Sequence, residues 1–327
     1  MKRKLLSVLM AGLMVFSLSS CGSSKGTPSE DVAYSIDVIL KTTSSEYWSY
    51  VMAGANAYMR DNPDVAVSVK GASSETAYEE QQIMIETDMK SGMFDGFVIA
   101  PLQAEIVGNL IEGSDAPIVA VDTDIDSPKV ISFVGTANEE AAMAGGEAAV
   151  KAAAAAGWDE IKAICISGVQ GDGTVTDRLN GYKAGIDKAG GEFLESEIQY
   201  ADAVADKAVT CMENIMQAHP EGIAIICANN DEMAIAASRA SRNNPAYAKT
   251  VFVGFDGIQS ACNAIVAGEE TISVSQEAYQ MGYMAVDTVV KALKGEKVEE
   301  FIDSGSQVID SSNAIERLDT LRGYIGS

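Results

Sequence analysis

Five polar side chains stand at the ends of apolar, β-rich runs and are the first candidates for chemistry: Lys41, Asp122, Asn230, Asp256 and Gln276. In open parallel sheets ligands bind outside the carboxyl ends of the strands, so side chains at these positions can converge on one cleft. Carboxylates accept hydrogen bonds, amides donate and accept them, and an ammonium donates them, which suits a small polyhydroxylated ligand. Asp256 and Asn230 could instead be helix N-caps, and Asp122 a turn residue. Caps require neither Gln276 nor Lys41, so the set as a whole favours a binding site.

Three further residues extend this candidate site. Tyr47 and Trp48 follow the loop after the first apolar run, where an aromatic ring can stack on the apolar face of a sugar; the alternative is that both are core aromatics. Arg178 follows a Gly-containing loop, and its guanidinium can hold two hydroxyls or a carboxylate at once. The alternative for Arg178 is a surface ion pair with Asp177 or Asp172.

The aspartate-rich stretch from Asp122 to Asp126 also invites a metal-binding or enzymatic interpretation. As a calcium loop it fails at Ser127, where Gly is needed, and at Phe133, where Glu is needed. A Mg-dependent phosphatase of the haloacid-dehalogenase kind stays a remote alternative, because its motif has Thr or Val at the position of Asp126. The chain has one histidine and no Gly-x-x-x-x-Gly-Lys phosphate loop, and it has no Gly-x-Ser-x-Gly elbow between a predicted strand and a predicted helix. The sequence therefore predicts a protein that is not an enzyme and uses no metal or cofactor.

The chain length and the net charge further restrict what kind of protein this is. A chain of 327 residues is long enough for about two domains. It carries 47 acidic and 23 basic residues, a net charge of −24, which becomes −27 without Lys2, Arg3 and Lys4. Because no basic stripe is present to neutralise phosphates, nucleic acid is not expected as a partner.

Short β-rich runs alternate with helix-length segments, and these elements must position the candidate residues. The predicted strands are 36–40, 65–69, 96–100, 117–121, 130–134, 161–166, 223–228, 250–255 and 271–275. The predicted helices include 47–60, 75–90, 138–156, 203–218 and 277–293. The alternation predicts an α/β fold with two doubly wound parallel-sheet lobes, each sheet covered by helices on both faces. The first boundary is expected near 135–137, where Asn138 can cap the next helix.

The N-terminus has the layout of an export signal. Lys2-Arg3-Lys4 precedes the apolar stretch Leu5 to Leu18, which is too short to span a membrane. Leu18-Ser19-Ser20-Cys21 matches the lipobox of a bacterial lipoprotein, so we expect Cys21 to be acylated and the following Gly/Ser/Pro-containing segment to be a tether. The alternative is a plain signal peptide with an incidental Cys. We therefore expect an extracytoplasmic protein, held at the membrane only by lipid. The four other cysteines are expected to be free and buried: Cys165, Cys211, Cys227 and Cys262.

Several segments together resemble the ribose-binding type of periplasmic sugar-binding protein. They are Asn-Asp-Glu-Met-Ala at 230–234, Val-Gly-Phe-Asp-Gly at 253–257, Arg178 with Gly181-Tyr182, Ala116-Pro117 leading to Asp122, and the stretch 291–298. The resemblance spans Tyr34 to about Asp310 in order, and it implies a type I periplasmic binding protein fold whose two lobes, joined by a hinge, close on a sugar. It also implies that the sugar is held at Asp122, Arg178, Asn230, Asp256 and Gln276, with aromatics at Tyr47 and Trp48. The implied partners are the permease subunits of an ABC importer.

On this layout the chain divides into four parts. Residues 1–20 are the signal peptide with its lipobox, and 21–33 are the lipid-anchored Cys and tether. Residues 34–136 with 277–303 form the N-terminal lobe, and 137–276 with 304–327 form the C-terminal lobe of a monomeric body.

Three departures from the family pattern bear on the ligand. Thr123 stands where ribose binders carry Arg, Ala203 replaces an aromatic, and Lys41 replaces a small residue. Lys41 together with 174–177 is also similar to receptors for the furanone autoinducer that some bacteria import. Because the other polar positions keep the monosaccharide pattern, we expect a monosaccharide or cyclic polyol, with Lys41 and Thr123 in its site. An autoinducer-like compound is the alternative.

Overall fold

Two sheets organise the chain in a computed structural model that describes residues 32–325. The first sheet contains β1 (Tyr34–Leu40), β2 (Val65–Gly71), β3 (Gly96–Ile99), β4 (Ile118–Val121), β5 (Val130–Gly135) and β12 (Phe301–Asp303). Its strands are all parallel and lie in the order β12-β5-β4-β3-β1-β2.

The second sheet contains β6 (Lys162–Ser167), β7 (Glu192–Phe193), β8 (Gln199–Tyr200), β9 (Ile225–Ala228), β10 (Val251–Asp256), β11 (Ile272–Gln276) and β13 (Ser306–Ile309). Its order is β13-β11-β10-β9-β6-β7, and β8 also pairs with β6. Only β13 runs antiparallel to its neighbour among the described strands.

Helices cover both faces of each sheet, and their bounds are α1 (Glu46–Asp61), α2 (Tyr78–Ser91), α3 (Ala104–Ile111), α4 (Asn138–Ala155), α5 (Gly173–Lys188), α6 (Ala205–Ala218), α7 (Asp231–Ser241), α8 (Gln259–Ala267), α9 (Ala278–Leu293) and α10 (Ala314–Ile325). On the first sheet, α1 and α9 bury Val51 and Val289 against one face, while Ile85 and Ile111 of α2 and α3 pack on the other. Helices α4 and α5 cover one face of the second sheet, and α6 and α7 cover the other. The predicted α/β fold with two parallel-sheet lobes is confirmed.

Helices α1 and α9 pack unusually close because glycines stand at their contact. A Cβ at Gly54 would lie 1.9 Å from the carbonyl oxygen of Tyr279, and one at Gly282 would lie 2.0 Å from that of Val51. Side chains at either position would force the helices apart. The pair builds the N-terminal lobe, which we define as the first sheet with the helices packed on it; the second sheet and its helices form the C-terminal lobe.

The chain passes between the lobes three times. Strands β5 and β6, β11 and β12, and β12 and β13 are successive in sequence but belong to different sheets. The three crossings lie near Gly135–Asn138, Gln276–Ala278 and Asp303–Ser306. Arg317 of α10 is buried beside the second crossing, where it donates to the carbonyl oxygen of Gln276 at 2.6 Å and to Glu277 at 2.6 Å.

Two local expectations were wrong. The segment predicted as helix 75–90 becomes helical only at Tyr78, because Glu80 accepts hydrogen bonds from the backbone and hydroxyl of Ser73 and holds the preceding residues in a loop. Asn138 does not cap α4. Its amide instead donates to the carbonyl oxygen of Thr136 at 3.0 Å, and its oxygen accepts from Arg178 Nε at 2.8 Å.

The expectation of free, buried thiols is confirmed for all four cysteines within the described range, Cys165, Cys211, Cys227 and Cys262. The predicted signal peptide, Cys21 and most of the tether lie outside that range. Between residues 32 and 325, no helix combines the length and hydrophobicity needed to cross a membrane.

Candidate functional site

The five polar residues first singled out lie at the ends of strands, in one region between the lobes. Lys41 directly follows β1 and Asp122 directly follows β4, both in the first sheet. Asp256 and Gln276 are the last residues of β10 and β11, and Asn230 follows β9 as the N-cap of α7. Because parallel strands end at the same edge of a sheet, the two edges face each other across a cleft.

A cavity of about 50 Å³ lies in this cleft. Seven of the nine predicted site residues line it: Lys41, Tyr47, Trp48, Asp122, Arg178, Asn230 and Asp256. The other two support them from behind, since Thr123 Oγ1 donates to Asp122 Oδ2 at 2.9 Å and Gln276 Nε2 donates to Asp256 Oδ1 at 2.7 Å. Ala203, the position where an aromatic is missing, also borders the cavity.

Lys41 joins the two lobes through an ion pair. Its Nζ lies 2.7 Å from Asp172 Oδ2 of the C-terminal lobe and 3.9 Å from Asp122 Oδ2 of its own lobe. Burial lowers the pKa of the Lys41 ammonium, but the adjacent carboxylates outweigh it and hold this pKa above its ordinary value. A second bridge between the lobes is the hydrogen bond between the hydroxyls of Thr123 and Thr174, which are 2.7 Å apart.

Asp122 is held by neutral donors of the N-terminal lobe. Tyr47 Oη donates to its Oδ1 at 2.8 Å, and Thr123 donates to the other oxygen. Burial, followed by the charge of Asp122, raises the pKa of Tyr47 well above its usual value, so this phenol stays a donor. The rings of Tyr47 and Trp48 meet edge to face at 5.1 Å, which fixes the aromatic wall of the cavity.

Arg178 organises the opposite wall. Its Nε donates to Asn138 and its Nη1 donates to the carbonyl oxygen of Asn229, both at 2.8 Å, while Asp256 Oδ1 lies 3.5 Å from Nη1. The guanidinium also stacks 3.9 Å above the ring of Phe255. The alternative for Arg178, a surface ion pair with Asp177 or Asp172, is therefore wrong, because the guanidinium belongs to a buried network. Burial raises the pKa of Asp256 well above its usual value, although Arg178 opposes the shift.

Two of the three cavity aspartates, Asp122 and Asp256, have backbone conformations that most residues avoid. The φ angle is 64° at Asp122 and 120° at Asp256. Such angles cost of order 1–3 kcal/mol each and cluster at functional sites. Next to Asp256, Gly257 has φ 65°, and a Cβ there would lie 2.2 Å from the Cβ of Ser275. The strain turns each carboxylate off the end of its strand and into the cleft.

Asn230 fits both of its predicted roles. Its Oδ1 accepts from the backbone N–H of Met233 at 2.9 Å, which is an N-cap hydrogen bond, and the residue still borders the cavity.

The cavity residues that sequence reasoning missed include three polar residues in loops, Glu75, Asp172 and Asn229. Asp172 also caps α5, accepting from the backbone N–H of Val175 at 3.0 Å. Burial alone would raise the pKa of Asp172, but Lys41 and that backbone donor hold it below its usual value. An acid before a helix at the end of a Gly-containing loop was the available signal for Asp172, whereas Glu75 had been placed inside a helix.

Metal ligation has no support at this site. Within residues 32–325, no group of three or more His, Cys, Asp or Glu side chains is arranged to hold a metal ion.

Comparisons of the chain with a family model and with known proteins point to the same family. Residues 36–297 match the model of a periplasmic binding protein domain. The chain is 32% identical over 215 residues to the ribose import binding protein of Haemophilus influenzae, covering 65% of this chain and 70% of that protein. It is 26% identical over 316 residues to the ribose import binding protein of Bacillus subtilis, covering 92% and 97%.

The solved structures that resemble this chain are also solute-binding proteins of transporters. A carbohydrate transporter solute-binding protein from Agrobacterium radiobacter in complex with D-arabinose is 27% identical, has a TM-score of 0.77, and is matched over 88% of this chain and 98% of that one. An ABC transporter solute-binding protein from Agrobacterium vitis with bound D-fucose is 28% identical, with a TM-score of 0.76 and coverage of 85% and 96%. These relatives are binding proteins and not enzymes.

Proposed function

The chain belongs to the periplasmic binding protein domain family, and from this premise we propose that it captures a monosaccharide or cyclic polyol and delivers it to an ABC importer. The resemblance stated from the sequence is thereby confirmed at the level of family and fold. The ribose import binding proteins and the sugar complexes named above support the choice of ligand class.

One observation carries this proposal: buried hydrogen-bonding groups from both lobes border a single cavity. Asp122 and Asp256 offer acceptors, Lys41 and Arg178 offer donors, and Trp48 supplies an aromatic surface. Sugar hydroxyls both donate and accept, so a mixed array of this kind recognises them with few unpaired groups. The network behind the cavity holds these side chains in place before the ligand arrives.

We propose that binding works by hinge closure. The N-terminal lobe would comprise 34–136 with 277–303 and the C-terminal lobe 137–276 with 304–327, with the three chain crossings as the hinge. A ligand that contacts both lobes favours the closed form by its greater affinity for that form. The permease would then recognise the closed form of a monomeric body.

Cys21 is proposed as the lipid anchor that keeps the protein at the outer face of the cell membrane. Replacement of Cys21 by Ser should move the protein from the membrane fraction into the soluble extracytoplasmic fraction. Retention of Cys21→Ser in the membrane after a high-salt wash would contradict this assignment.

A specific observation also favours the second candidate, an autoinducer-like furanone. Lys41 is buried between Asp122 and Asp172 at the cavity wall, so the residue that carried that resemblance lies in the proposed site. The phosphatase alternative gains no such support, because the relatives are binding proteins.

A thermal-shift screen of the purified full chain tests the function and ranks the two candidates. Monosaccharides, cyclic polyols, nucleosides and autoinducers are compared, and a ligand at 100 times its Kd stabilises the folded state by about 2.7 kcal/mol. We expect stabilisation by a monosaccharide or polyol. Stabilisation by the furanone alone would replace the first candidate by the second, and stabilisation by none would refute both.

Calorimetry on variants then tests the site. Asp122→Ala and Asp256→Ala each remove a buried acceptor and should weaken binding by about 1–3 kcal/mol. The matched Asn variants tolerate positive φ as Asp does, so they separate loss of the carboxylate from backbone strain. Unchanged affinity in both Ala variants would refute the assignment.

A further inference from the structure

Glu75 is a cavity residue whose charge has no cation of its own. It lies in the loop between β2 and α2, and its Oε1 accepts a hydrogen bond of 3.1 Å from Trp48 Nε1. Among residues 32–325, no Lys, Arg or His nitrogen lies within 4.0 Å of its carboxylate. The indole donor is neutral, so it orients the carboxylate without neutralising it.

The cavity is lined by more carboxyl groups than cations. Its ionisable lining residues comprise four acids and two bases, namely Glu75, Asp122, Asp172, Asp256, Lys41 and Arg178. Lys41 makes its short contact with Asp172, and Arg178 makes its own with Asp256. What remains is Glu75, together with Asp122, which has neutral donors at short range and Lys41 only at 3.9 Å.

A partly buried carboxylate without a cationic partner is costly to ionise. Desolvation raises the pKa of the Glu75 carboxyl, even though Lys41 and Trp48 both act to lower it. An anionic ligand would add another acidic group to a cavity of about 50 Å³ that four acids already line. A ligand with a positive group would instead supply the missing partner, and a charge-assisted hydrogen bond is roughly twice as strong as a neutral one.

We propose that the ligand is an amino sugar or aminocyclitol, and that Glu75 is the residue that selects its protonated amine. This inference rests on the proposed sugar-binding function and adds to it the class of ligand. The hydroxyls are held by the strand-end residues of both lobes, and the ammonium lies against Glu75 on the N-terminal lobe.

Glu75→Gln is the discriminating variant. The glutamine Oε1 still accepts from Trp48 Nε1, so the indole keeps its partner and only the charge is lost. Glu79→Gln is the matched control, because Glu79 is exposed in the first turn of α2 and does not border the cavity. Trp fluorescence and thermal unfolding of both variants establish that the fold is retained.

Calorimetry with matched sugar pairs provides the test. The pairs are D-glucosamine with D-glucose, D-galactosamine with D-galactose, and D-mannosamine with D-mannose, and D-glucuronate is added as an anionic probe. We expect one amine to bind the wild-type protein at least tenfold more tightly than its parent sugar, with no detectable binding of glucuronate. In Glu75→Gln that ratio should fall at least tenfold while the affinity of the parent sugar changes less than threefold; Glu79→Gln should leave both unchanged.

Three outcomes would overturn the inference. If the parent sugars bind as tightly as the amines, the protein does not select an amino sugar, and the proposed sugar-binding function is unaffected. Equal weakening of amine and parent by Glu75→Gln would show that Glu75 only positions Trp48. Failure of every sugar in this panel, amine and neutral, would overturn this inference, while the proposed function would be decided separately by the broader thermal-shift screen.

Discussion

Replacing Lys41 by Met should weaken ligand binding more than the loss of one hydrogen bond would. Lys41 is 5% exposed, and its ammonium lies 2.7 Å from Asp172 across the cleft. In the proposed open form both ions would regain water, so the pair would contribute to the closed form alone. Lys41→Met leaves Asp172 buried and without its cation whenever the lobes close. Asp172→Asn keeps the N-cap acceptor for α5 and removes the charge.

The size of the coupling between Lys41 and Asp172 follows from the distance between their charged groups. At 2.7 Å and an effective dielectric constant of about 20, the attraction is about 6 kcal/mol. Desolvation of the two ions cancels most of it, and measured couplings of close, buried interfacial pairs start at about 1.5 kcal/mol. We therefore expect a coupling of about 2 kcal/mol, or roughly thirtyfold in affinity. Lys41→Met alone should weaken ligand binding by about 3 kcal/mol, because it leaves the buried Asp172 carboxylate without its cation.

A double-mutant cycle measured by calorimetry separates this coupling from direct ligand contacts. The four proteins are wild type, Lys41→Met, Asp172→Asn and the double variant, and Lys183→Met, which breaks a more exposed pair with Glu195, is the control. If the effects of the two single variants on affinity sum to that of the double variant within about 0.5 kcal/mol, the pair does not hold the lobes together. The pKa of Lys41 is raised from 10.5 and that of Asp172 is lowered from 3.8, so the pair stays charged and the coupling should be constant from about pH 5 to pH 9.

Three further perturbations test other parts of the molecule. Tyr47→Phe removes the 2.8 Å hydrogen bond to Asp122 and should weaken sugar binding by about 1 kcal/mol in calorimetry. Gly54→Ala places a Cβ 1.9 Å from the carbonyl oxygen of Tyr279 and should lower the free energy of unfolding by about 1–3 kcal/mol in urea titrations. Burial raises the pKa of Asp231 to about 7, so its stabilising contribution is complete below its unfolded pKa and is lost as pH rises to about 7; Asp231→Asn should flatten that fall in urea titrations between pH 5 and pH 8.

Each of these has its own control. Tyr47→Phe should leave the midpoint of thermal unfolding nearly unchanged, and a large drop would mean that the phenol serves folding more than binding. Gly113→Ala, where a Cβ meets nothing within 4 Å, should be harmless, and an equal loss in both glycine variants would contradict the close helix contact. An unchanged pH slope in Asp231→Asn would mean that another buried acid, such as Glu270, carries the dependence.

Nine strands were predictable because each contains an apolar, β-rich run, and most of them are buried on both faces. Strand β10 shows why: all six of its residues are buried, as expected for an interior parallel strand. The four missed strands, β7, β8, β12 and β13, have two to four residues and lie at sheet edges or beside them. Such short segments have no hydrophobic pattern of their own, and their pairing is decided by the lobes around them.

The candidate site was predictable where it depends on strand ends and not where it depends on loops. Lys41 and Asp256 could be found because a strand must deliver its last residues to the edge of the sheet. Glu75 could not, since the periodicity of its segment continues smoothly into α2 while the hydrogen bonds from Ser73 to Glu80 delay the start of the helix. Those bonds are local, but which of two conformations wins is set by the packing of the lobe.

The positive φ angles at Asp122 and Asp256 restrict how this binding site can drift over evolutionary time. Only Gly, Asn and Asp adopt left-handed backbone readily, so most single replacements at these positions remove a carboxylate from the cavity and acquire strain together. A lineage that shifts to a new sugar is therefore expected to keep both aspartates and to change cavity residues away from the strand ends, such as Glu75 and Thr174. Within a set of paralogues, diversity at those positions should track ligand identity, while the two aspartates would mark only membership in the group.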